Sequence, residues 1–216
     1  MAFTYFFRDM HTLELIVRCM TPWARGRSRV RIWDAGCATG QEAYSLAMMF
    51  AENMGHFAFR NLHIDATDVD GSNLFGALIS EGLYQGKELQ RMPKAFFDKY
   101  FQPSGKTEYF KVVDSIRSRV CYQKHDLLSL QPIGEDFSLI LCKNVLLHFQ
   151  YAERVEVIKM FHKALAPGGY FATEQTQKLP EEVSRLFEKV TANAQLFRKI
   201  PGSREDYPLT PVAHIG

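Results

Sequence analysis

The segment "VRIWDAGCATGQEAYSLAM", residues 30–48, determines the fold class of this chain. Its first eight residues are rich in β-formers and end in a glycine turn, which predicts a strand. Residues 41–54 follow as a predicted helix, because apolar residues such as Ala43, Ala47 and Met54 recur at helical spacing. A strand that passes through a glycine turn into a helix indicates the start of a β-α-β unit.

The same alternation recurs along most of the sequence. A second strand is predicted at "LHIDATD", residues 62–68, and a second helix at residues 71–80. This order implies a parallel sheet with right-handed crossovers. The remaining predictions are a first helix at 9–20, a strand at 137–144, a helix at 152–166 that Pro167-Gly168-Gly169 terminates, a strand at 170–176, a helix at 180–190 and a last strand at 194–200.

The middle of the chain is less regular. A short helix is predicted from Pro93, and strands are predicted at 107–113 and 118–127. We therefore predict one domain over residues 1–216, with a helical linker and a small β-subdomain inserted at about 81–120. Residues 201–216 carry three prolines and are predicted to form a tail.

Composition excludes several classes of function. No stretch approaches the roughly 18–20 apolar residues that a membrane helix needs, so we expect a soluble, cytoplasmic protein without membrane insertion. The net charge of +2 gives no broad nucleic-acid footprint. The four cysteines show no ligand spacing, which predicts free thiols and no metal site.

Polar residues collect where the predicted strands end, which is where open α/β sheets bind ligands. Gly36 and Gly40 follow the first strand and allow a ligand to approach the backbone. Asp68 ends the second strand, where a carboxylate can accept both hydroxyls of a ribose, and Asp126 is placed to meet the amine of an adenine. The glycine loop after the first strand is not GxGxxG and no GK[ST] follows it, so the pattern favours S-adenosylmethionine over a dinucleotide or a nucleoside triphosphate.

Five segments in this order resemble the CheR-type chemotaxis receptor glutamate methyltransferases. They are "TYFFRD", "AGCATGQEAYSLAM", "TDVD", "HDLL" and "CKNVLLHF", and "GLYQGKELQRMPKAFFDKYF" resembles the family's linker before its small β-subdomain. The likeness spans residues 3 to about 175. It implies a Rossmann-like class I methyltransferase fold: a mostly parallel sheet with an antiparallel C-terminal strand, helices on both faces and a small β-insertion. It also implies S-adenosyl-L-methionine as cofactor and S-adenosyl-L-homocysteine as product.

The resemblance implies roles for individual positions. Contacts with the amino-acid end of the cofactor, with its ribose and with its adenine would come from different segments of the chain. The implied cofactor-binding residues are Thr4, Arg8, Ala35, Gly36, Glu42, Asp68, Val69, Asp126, Leu127, Lys143 and Asn144. Position 148 would face the departing methyl group, and Arg8 and His148 are the candidate catalytic residues.

The sequence also departs from the family pattern. It begins three residues before the first motif, so we expect the family's N-terminal helical domain to be absent. "ATEQTQ" replaces the family's glycine-histidine-serine-glutamate stretch, Lys143 stands for an arginine, His148 for a tyrosine, and Ala43 for the proline after Glu42. These changes leave the cofactor expectation intact but leave the methyl acceptor open.

Three functions fit these residues. In the first, the acceptor is a carboxylate, either a protein glutamate or a small acid, which Arg8 positions and which needs no base. In the second, the acceptor is a small-molecule hydroxyl and His148 is the base. In the third, the chain is a cofactor-binding sensor without catalysis. A receptor or regulatory protein is the expected type of partner.

Several residues have a structural alternative. The aromatic run "FTYFFRD" is predicted to fold over the methionine end of the cofactor, although Phe6 and Phe7 can equally anchor the chain to its core. Asp68 can cap the helix that begins near Gly71, and Arg8 can pair with its neighbour Asp9. A first-turn helix acid would explain Glu42, and packing under Phe149 would explain His148.

Overall fold

A seven-stranded sheet forms the centre of the structure, and a separate three-stranded sheet lies beside it. The computed structural model describes residues 4–200. Within them the strands are β1 (Val30–Ala35), β2 (Leu62–Asp68), β3 (Leu83–Gln85), β4 (Phe101–Pro103), β5 (Tyr109–Val112), β6 (Val120–Lys124), β7 (Phe137–Leu141), β8 (Leu165–Ala172), β9 (Phe187–Lys189) and β10 (Leu196–Lys199). The large sheet has the order β6-β2-β1-β7-β8-β10-β9, and the small sheet has the order β3-β5-β4.

The large sheet is parallel except at one edge. The pairs β6–β2, β2–β1, β1–β7 and β7–β8 are all parallel, whereas β10 runs antiparallel to both β8 and β9. The predicted mostly parallel sheet with an antiparallel C-terminal strand is therefore confirmed. In this arrangement the C-terminal ends of five neighbouring strands share one edge of the sheet.

Helices cover both faces of this sheet. They are α1 (Met10–Ala24), α2 (Gln41–Met54), α3 (His56–Phe59), α4 (Phe75–Glu81), α5 (Gly86–Leu89), α6 (Lys94–Tyr100), α7 (Asp114–Arg117), α8 (Tyr151–Ala164) and α9 (Glu181–Ser184) among the described residues. Strand β1 shows why two layers form, because Ile32 packs into one apolar cluster and its neighbour Trp33 into the other. Successive strand residues point to opposite faces, and both faces of β1 are buried.

Two predicted helix boundaries are wrong at the N-terminal side of the fold. The helix predicted at 71–80 begins only at Phe75, because Asp70 and Asn73 take left-handed backbone conformations with φ of 35° and 56°. The helix predicted at 9–20 continues through Pro22 to Ala24. In both cases the helical spacing was recognised correctly, and the local turn geometry set the ends.

Two further differences lie near the C-terminal side. Helix α8 ends at Ala164, before Pro167, and the Pro-Gly-Gly sequence lies inside β8. The helix predicted at 180–190 is a single turn, Glu181–Ser184, and Phe187–Lys189 forms β9 instead. Pairing of β9 with β10 satisfies backbone groups that a longer helix would have used internally, so a tertiary contact overrides the helical pattern.

Two other features concern the ends and the apolarity of the chain. Across residues 4–200, no helix combines the length and the apolar character that crossing a bilayer would require. The tail predicted at 201–216 lies outside the described residues. The strands β3, β4 and β5 lie within residues 83–112, inside the segment predicted as an insertion at about 81–120. The division of the chain into domains stays a prediction.

Candidate active site

A cavity of about 730 Å³ opens beyond the C-terminal ends of β1, β2, β6 and β7. Its volume lies in the range of pockets that enclose a ligand of drug-like size. The lining residues are Thr4, Arg8, Gly36, Cys37, Ala38, Glu42, Thr67, Asp68, Val69, His125, Asp126, Leu127, Leu128, Lys143, Asn144, Val145, Leu147, His148 and Phe149. Every residue of the implied cofactor-binding and catalytic sets lines this cavity except Ala35, which is fully buried beside Gly36. Gly40, the second glycine of the turn, is not among the lining residues and lies against Ile79 instead.

Some lining residues were not predicted from the sequence. Thr67 lies beside Asp68, and its hydroxyl accepts a hydrogen bond from Nε1 of Trp33 at 2.8 Å. His125 and Leu128 flank the predicted Asp126 in the "HDLL" segment. Their position next to a candidate residue is the signal that would have found them. The buried residues behind the cavity, described below, gave no such signal.

The glycine turn after β1 brings three segments together. Gly36 has φ of +99°, a conformation that side chains rarely adopt, and its N–H donates to the Thr67 carbonyl at 2.7 Å. A Cβ at Gly36 would come within 2.1 Å of Cγ2 of Val145. The turn therefore packs directly against the 143–145 loop, and only glycine fits between them.

Asp68 and Asp70 have different roles, because Asp70 caps α4 and Asp68 lines the cavity. The carboxylate of Asp70 caps α4 by accepting from the N–H groups of Leu74 and Phe75, at 3.2 and 3.0 Å. The helix-capping alternative considered for Asp68 is therefore wrong. Asp68 accepts one N–H from Ala38 at 2.9 Å and one from Asp70 at 3.1 Å. A carboxylate has about four acceptor positions, so Asp68 retains capacity toward the cavity.

Lys143 fastens the N-terminal segment to α2 from a buried position. Its side chain is 1% exposed, and Nζ lies 2.8 Å from the Glu42 carboxylate and 3.5 Å from that of Asp9. Nζ also donates to the Arg8 carbonyl at 3.4 Å. Burial alone would lower the pKa of Lys143, but the two carboxylates outweigh it and raise this pKa above its ordinary value. Lys143 therefore carries a positive charge that the carboxylates of Glu42 and Asp9 balance. It links the 143–145 loop to α2 and to the N-terminal segment.

Arg8 reaches the 143–145 loop from the opposite side. Its Nη2 donates to Oδ1 of Asn144 at 3.0 Å, and its guanidinium lies 6.0 Å from the ring of Tyr5. Asn144 holds a left-handed backbone with φ of 58°. The carboxylate of Asp9 lies 3.5 Å from Nζ of Lys143. The cation that the structure gives Asp9 is therefore Lys143, and not Arg8 as considered above.

Phe6 and Phe7 of the aromatic run do not fold over the cavity as predicted. Phe6 is fully buried and makes edge contacts with the rings of Tyr84 and Phe101, at 4.9 and 5.4 Å between centroids. Phe7 is also buried and packs on Phe96. Both rings pack into the core, Phe6 against residues of the small sheet and Phe7 against α6. They anchor the segment, whereas Thr4 and Arg8 line the cavity.

Two carboxylates and an imidazole complete the surroundings. Asp126 accepts from the N–H of Leu128 at 2.9 Å and begins the 3₁₀ turn Leu127–Ser129. His148 ends another 3₁₀ turn, Leu146–His148, and is exposed at the cavity. Behind the site, Asp34 is 1% exposed, and neither of its carboxylate oxygens has a hydrogen-bond partner among residues 4–200.

Burial, together with nearby charges, shifts the pKa values of three groups at or behind the cavity. Burial, followed by the negative charge of Glu42, raises the pKa of Asp34 well above its ordinary value, and Lys143 only partly opposes this. Burial likewise raises the pKa of the Cys37 and Cys142 thiols far above their ordinary values. Both thiols are therefore neutral at physiological pH and do not act as nucleophiles.

Comparison with known proteins identifies the group to which this arrangement belongs. Residues 2–196 match the model of the CheR methyltransferase S-adenosylmethionine-binding domain. The chain is 34% identical over 190 residues to chemotaxis protein methyltransferase 1 of Pseudomonas aeruginosa, covering 82% of this chain and 68% of that protein. It is also 30% identical over 215 residues to an uncharacterized 104.1 kDa protein of Rhodobacter capsulatus, covering 96% of this chain and 21% of that protein.

A solved S-adenosylmethionine-dependent methyltransferase from Mesorhizobium loti is similar at 20% identity, with a TM-score of 0.40, over 74% of this chain and 52% of that one. The family match covers both the glycine turn and the segments that carry Arg8, Asp68 and Asn144. S-adenosylmethionine is therefore the cofactor of this fold. With its sheet order, its cavity and this match, the chain belongs to the CheR methyltransferase family of S-adenosylmethionine-dependent enzymes.

Proposed function

We propose that this protein transfers a methyl group to a carboxylate, either a glutamate side chain of a protein or a small acid. The observation that carries the proposal is the position of Arg8, which lines the cavity while Asn144 holds one of its N–H groups. Within the described lining, Arg8 and Lys143 are the two side chains with a permanent positive charge. Lys143 is buried against the Glu42 carboxylate, and the planar fork of donors on Arg8 suits this residue to orient a carboxylate.

The lining residues fit the cofactor. The left-handed Gly36 allows close approach of a ligand to the backbone, and the Asp68 carboxylate provides acceptors for a ribose. Among the lining residues that the structure describes, Arg8 and Lys143 are the two permanent cations, which do not form the cluster that a phosphate would need. Thr4 and Arg8 would hold the amino-acid end, with Gly36 supplying a backbone group and Glu42 lying nearby. Asp68 and Val69 would hold the ribose. Asp126 and Leu127 would hold the adenine, and Lys143 and Asn144 would line the middle.

The chemistry asks little of the protein beyond alignment. When bound, S-adenosylmethionine supplies a methyl group on a positively charged sulfur. The acceptor oxygen forms a bond to that carbon as the carbon–sulfur bond breaks, and the electron pair leaves with the sulfur. A carboxylate is already ionised at neutral pH, so no general base is required. The task of Arg8 is to hold the acceptor oxygen in line with the breaking bond.

The test is methyl transfer by the purified chain from cofactor with a labelled methyl group. Acceptors would be a peptide rich in glutamate, a set of small carboxylic acids and a set of small phenols. The proposal predicts a labelled product that releases methanol in mild alkali, because methyl esters hydrolyse there and methyl ethers do not. An alkali-stable product would contradict a carboxylate acceptor.

Arg8→Ala tests the assigned role directly. We expect turnover at saturating cofactor to fall by about 100-fold, because misalignment of a reacting atom has effects of this order. Arg18→Ala is the matched control, since Arg18 is exposed on α1 and does not line the cavity. Equal turnover of the two variants would remove Arg8 from the reaction.

A hydroxyl acceptor is the second candidate, and His148 supports it. This side chain lies at the cavity, where an imidazole can take a proton from a phenol or an alcohol. His148→Phe should then abolish transfer to hydroxyl acceptors. In the carboxylate mechanism the same change should lower turnover by less than tenfold.

A further inference from the structure

Glu174 is a buried carboxylate that lies behind the site and outside the cavity lining. It follows β8 by two residues and is 7% exposed. Its Oε2 accepts from the backbone N–H of Asn144 at 2.9 Å and from the Thr173 hydroxyl at 2.8 Å. Its Oε1 is buried and has no hydrogen-bond partner among residues 4–200. Such a group is costly to bury, so its retention calls for a physical reason.

The turn that Glu174 contacts is held under strain. Asn144 has φ of 58°, a left-handed conformation that residues with a side chain rarely adopt. Such a conformation persists only when its surroundings fix it. On one side, Val145 fills the space above Gly36, and on the other side Glu174 holds the Asn144 N–H. The turn is thus fixed from both sides.

The turn at Asn144 also fixes the position of the Arg8 side chain. The side-chain Oδ1 of Asn144 accepts from Nη2 of Arg8 at 3.0 Å, and both residues line the cavity. A continuous path of two hydrogen bonds therefore leads from the buried carboxylate, through the backbone and side chain of Asn144, to the guanidinium.

We propose that Glu174 is a positioning residue that fixes the Asn144 turn and, through it, the orientation of Arg8 toward cofactor and acceptor. This inference rests on the proposed function, because Arg8 matters only if it contacts those ligands. A carboxylate suits this task since hydrogen bonds to a charged acceptor are stronger than those to a neutral one. No sequence pattern indicates this role of Glu174, because the residue lies in the stretch that departs from the family pattern.

The experiment measures the affinity of S-adenosylhomocysteine by calorimetry for the wild-type chain and for Glu174→Ala, Asn144→Ala and the double variant. We expect Glu174→Ala to weaken binding by about tenfold. The double variant should bind no more weakly than Asn144→Ala alone, because the two residues act as one unit. Additive losses, or wild-type affinity in a folded Glu174→Ala variant, would overturn the proposal.

Conservative variants separate positioning from a general loss of stability. Glu174→Gln retains an oxygen that can accept the Asn144 N–H, so its affinity should stay within about threefold of wild type. Glu174→Asp withdraws the carboxylate by one methylene and should lose about as much affinity as Glu174→Ala. If Glu174→Ala does not fold, the affinities of Glu174→Gln and Glu174→Asp test the proposal instead. Tighter binding by the glutamine variant would support the positioning role, and equal affinities for the two variants would reject it.

One control variant and the alkali test of the product separate this inference from the proposed function. Glu182→Ala removes an exposed carboxylate that bonds Tyr151 and should leave affinity unchanged. Alkali-stable product with an intact coupling between Glu174 and Asn144 would reject the carboxylate acceptor and leave the positioning role standing. Alkali-labile product with no such coupling would do the reverse.

Discussion

Lys143 lines the cavity and Asp34 lies behind it, and the charges of these two buried residues are compensated differently. Lys143 and Asp34 are almost fully buried and both carry ionisable groups. One is neutralised by two carboxylates, and the other has no hydrogen-bond partner among residues 4–200. The two therefore respond to substitution in opposite directions.

Replacement of Lys143 by methionine should destabilise the protein strongly. The change leaves the carboxylate of Glu42, whose side chain is 11% exposed, without its cation. Removing one partner of a buried ion pair costs about 3–5 kcal/mol. Urea unfolding would measure the loss, and the double variant Lys143→Met with Glu42→Gln should recover part of it. An unchanged free energy of unfolding would show that solvent screens this pair.

Replacement of Asp34 by asparagine should have the reverse effect. The pKa of Asp34 is raised in the folded state, so the folded protein binds this proton more tightly than the unfolded chain does. The stability that the protonated form contributes is present below about pH 4 and is lost as pH rises toward the folded pKa. Asp34→Asn should therefore raise Tm at pH 8 and change it little near pH 4.

Thermal unfolding between pH 4 and pH 8 would measure this difference. Asp98→Asn is the control, because Asp98 is exposed and pairs with Lys94 on the surface of α6. A Tm difference between Asp34→Asn and wild type that does not vary with pH would contradict the assigned titration.

At the scale of elements, the junction between α8 and β8 shows how one helix end is satisfied. Lys199 of β10 is 5% exposed and donates to the carbonyls of His162 and Leu165, both at 2.6 Å. Carbonyls at a helix C-terminus otherwise lack partners, and a cation there also complements the helix dipole. The same lysine places a positive charge beside the buried His162.

His162 should make stability depend on pH through this junction. Burial, with the charges of Lys199 and Lys163, lowers its pKa from 6.5 to about 4. Between these values the unfolded chain binds a proton that the folded protein does not, so stability falls as pH drops through this window. The loss is at most about 3 kcal/mol. His162→Gln should flatten the pH dependence of Tm from 4 to 6.5, whereas His56→Gln, at an exposed position, should not.

The elements also show what could be predicted from the sequence. The order of strands and helices and the polar residues at strand ends follow from local spacing, so the sheet and most of the cavity lining were found. The ends of α4 and α9 were not, because they depend on the Asp70 cap and on pairing of β9 with β10. Glu174 and Asp34 were missed because a buried carboxylate behind a site leaves no local pattern.

At the scale of the molecule, ligand binding should be visible as a gain in stability. A ligand that binds only the folded state at 100 times its Kd adds about 2.7 kcal/mol. S-adenosylhomocysteine should therefore raise Tm of the wild-type chain by several degrees. Arg8→Ala should lose much of this shift, and Arg18→Ala should retain it. A full shift in both variants would show that Arg8 does not contact the cofactor.

The N-terminal segment is held by residues that are synthesised much later than the segment itself. Arg8 leaves the ribosome 136 residues before its partner Asn144, and Glu174 follows another 30 residues later. At about 5–20 residues per second, Arg8 waits roughly 7 to 30 s for Asn144. Phe7, whose N–H donates to Oγ of Ser45, lacks its aromatic packing partner until Phe96 is synthesised. A nascent chain therefore carries an aromatic segment open to chaperones, and the methyl-transfer site is among the last parts of the protein to be completed.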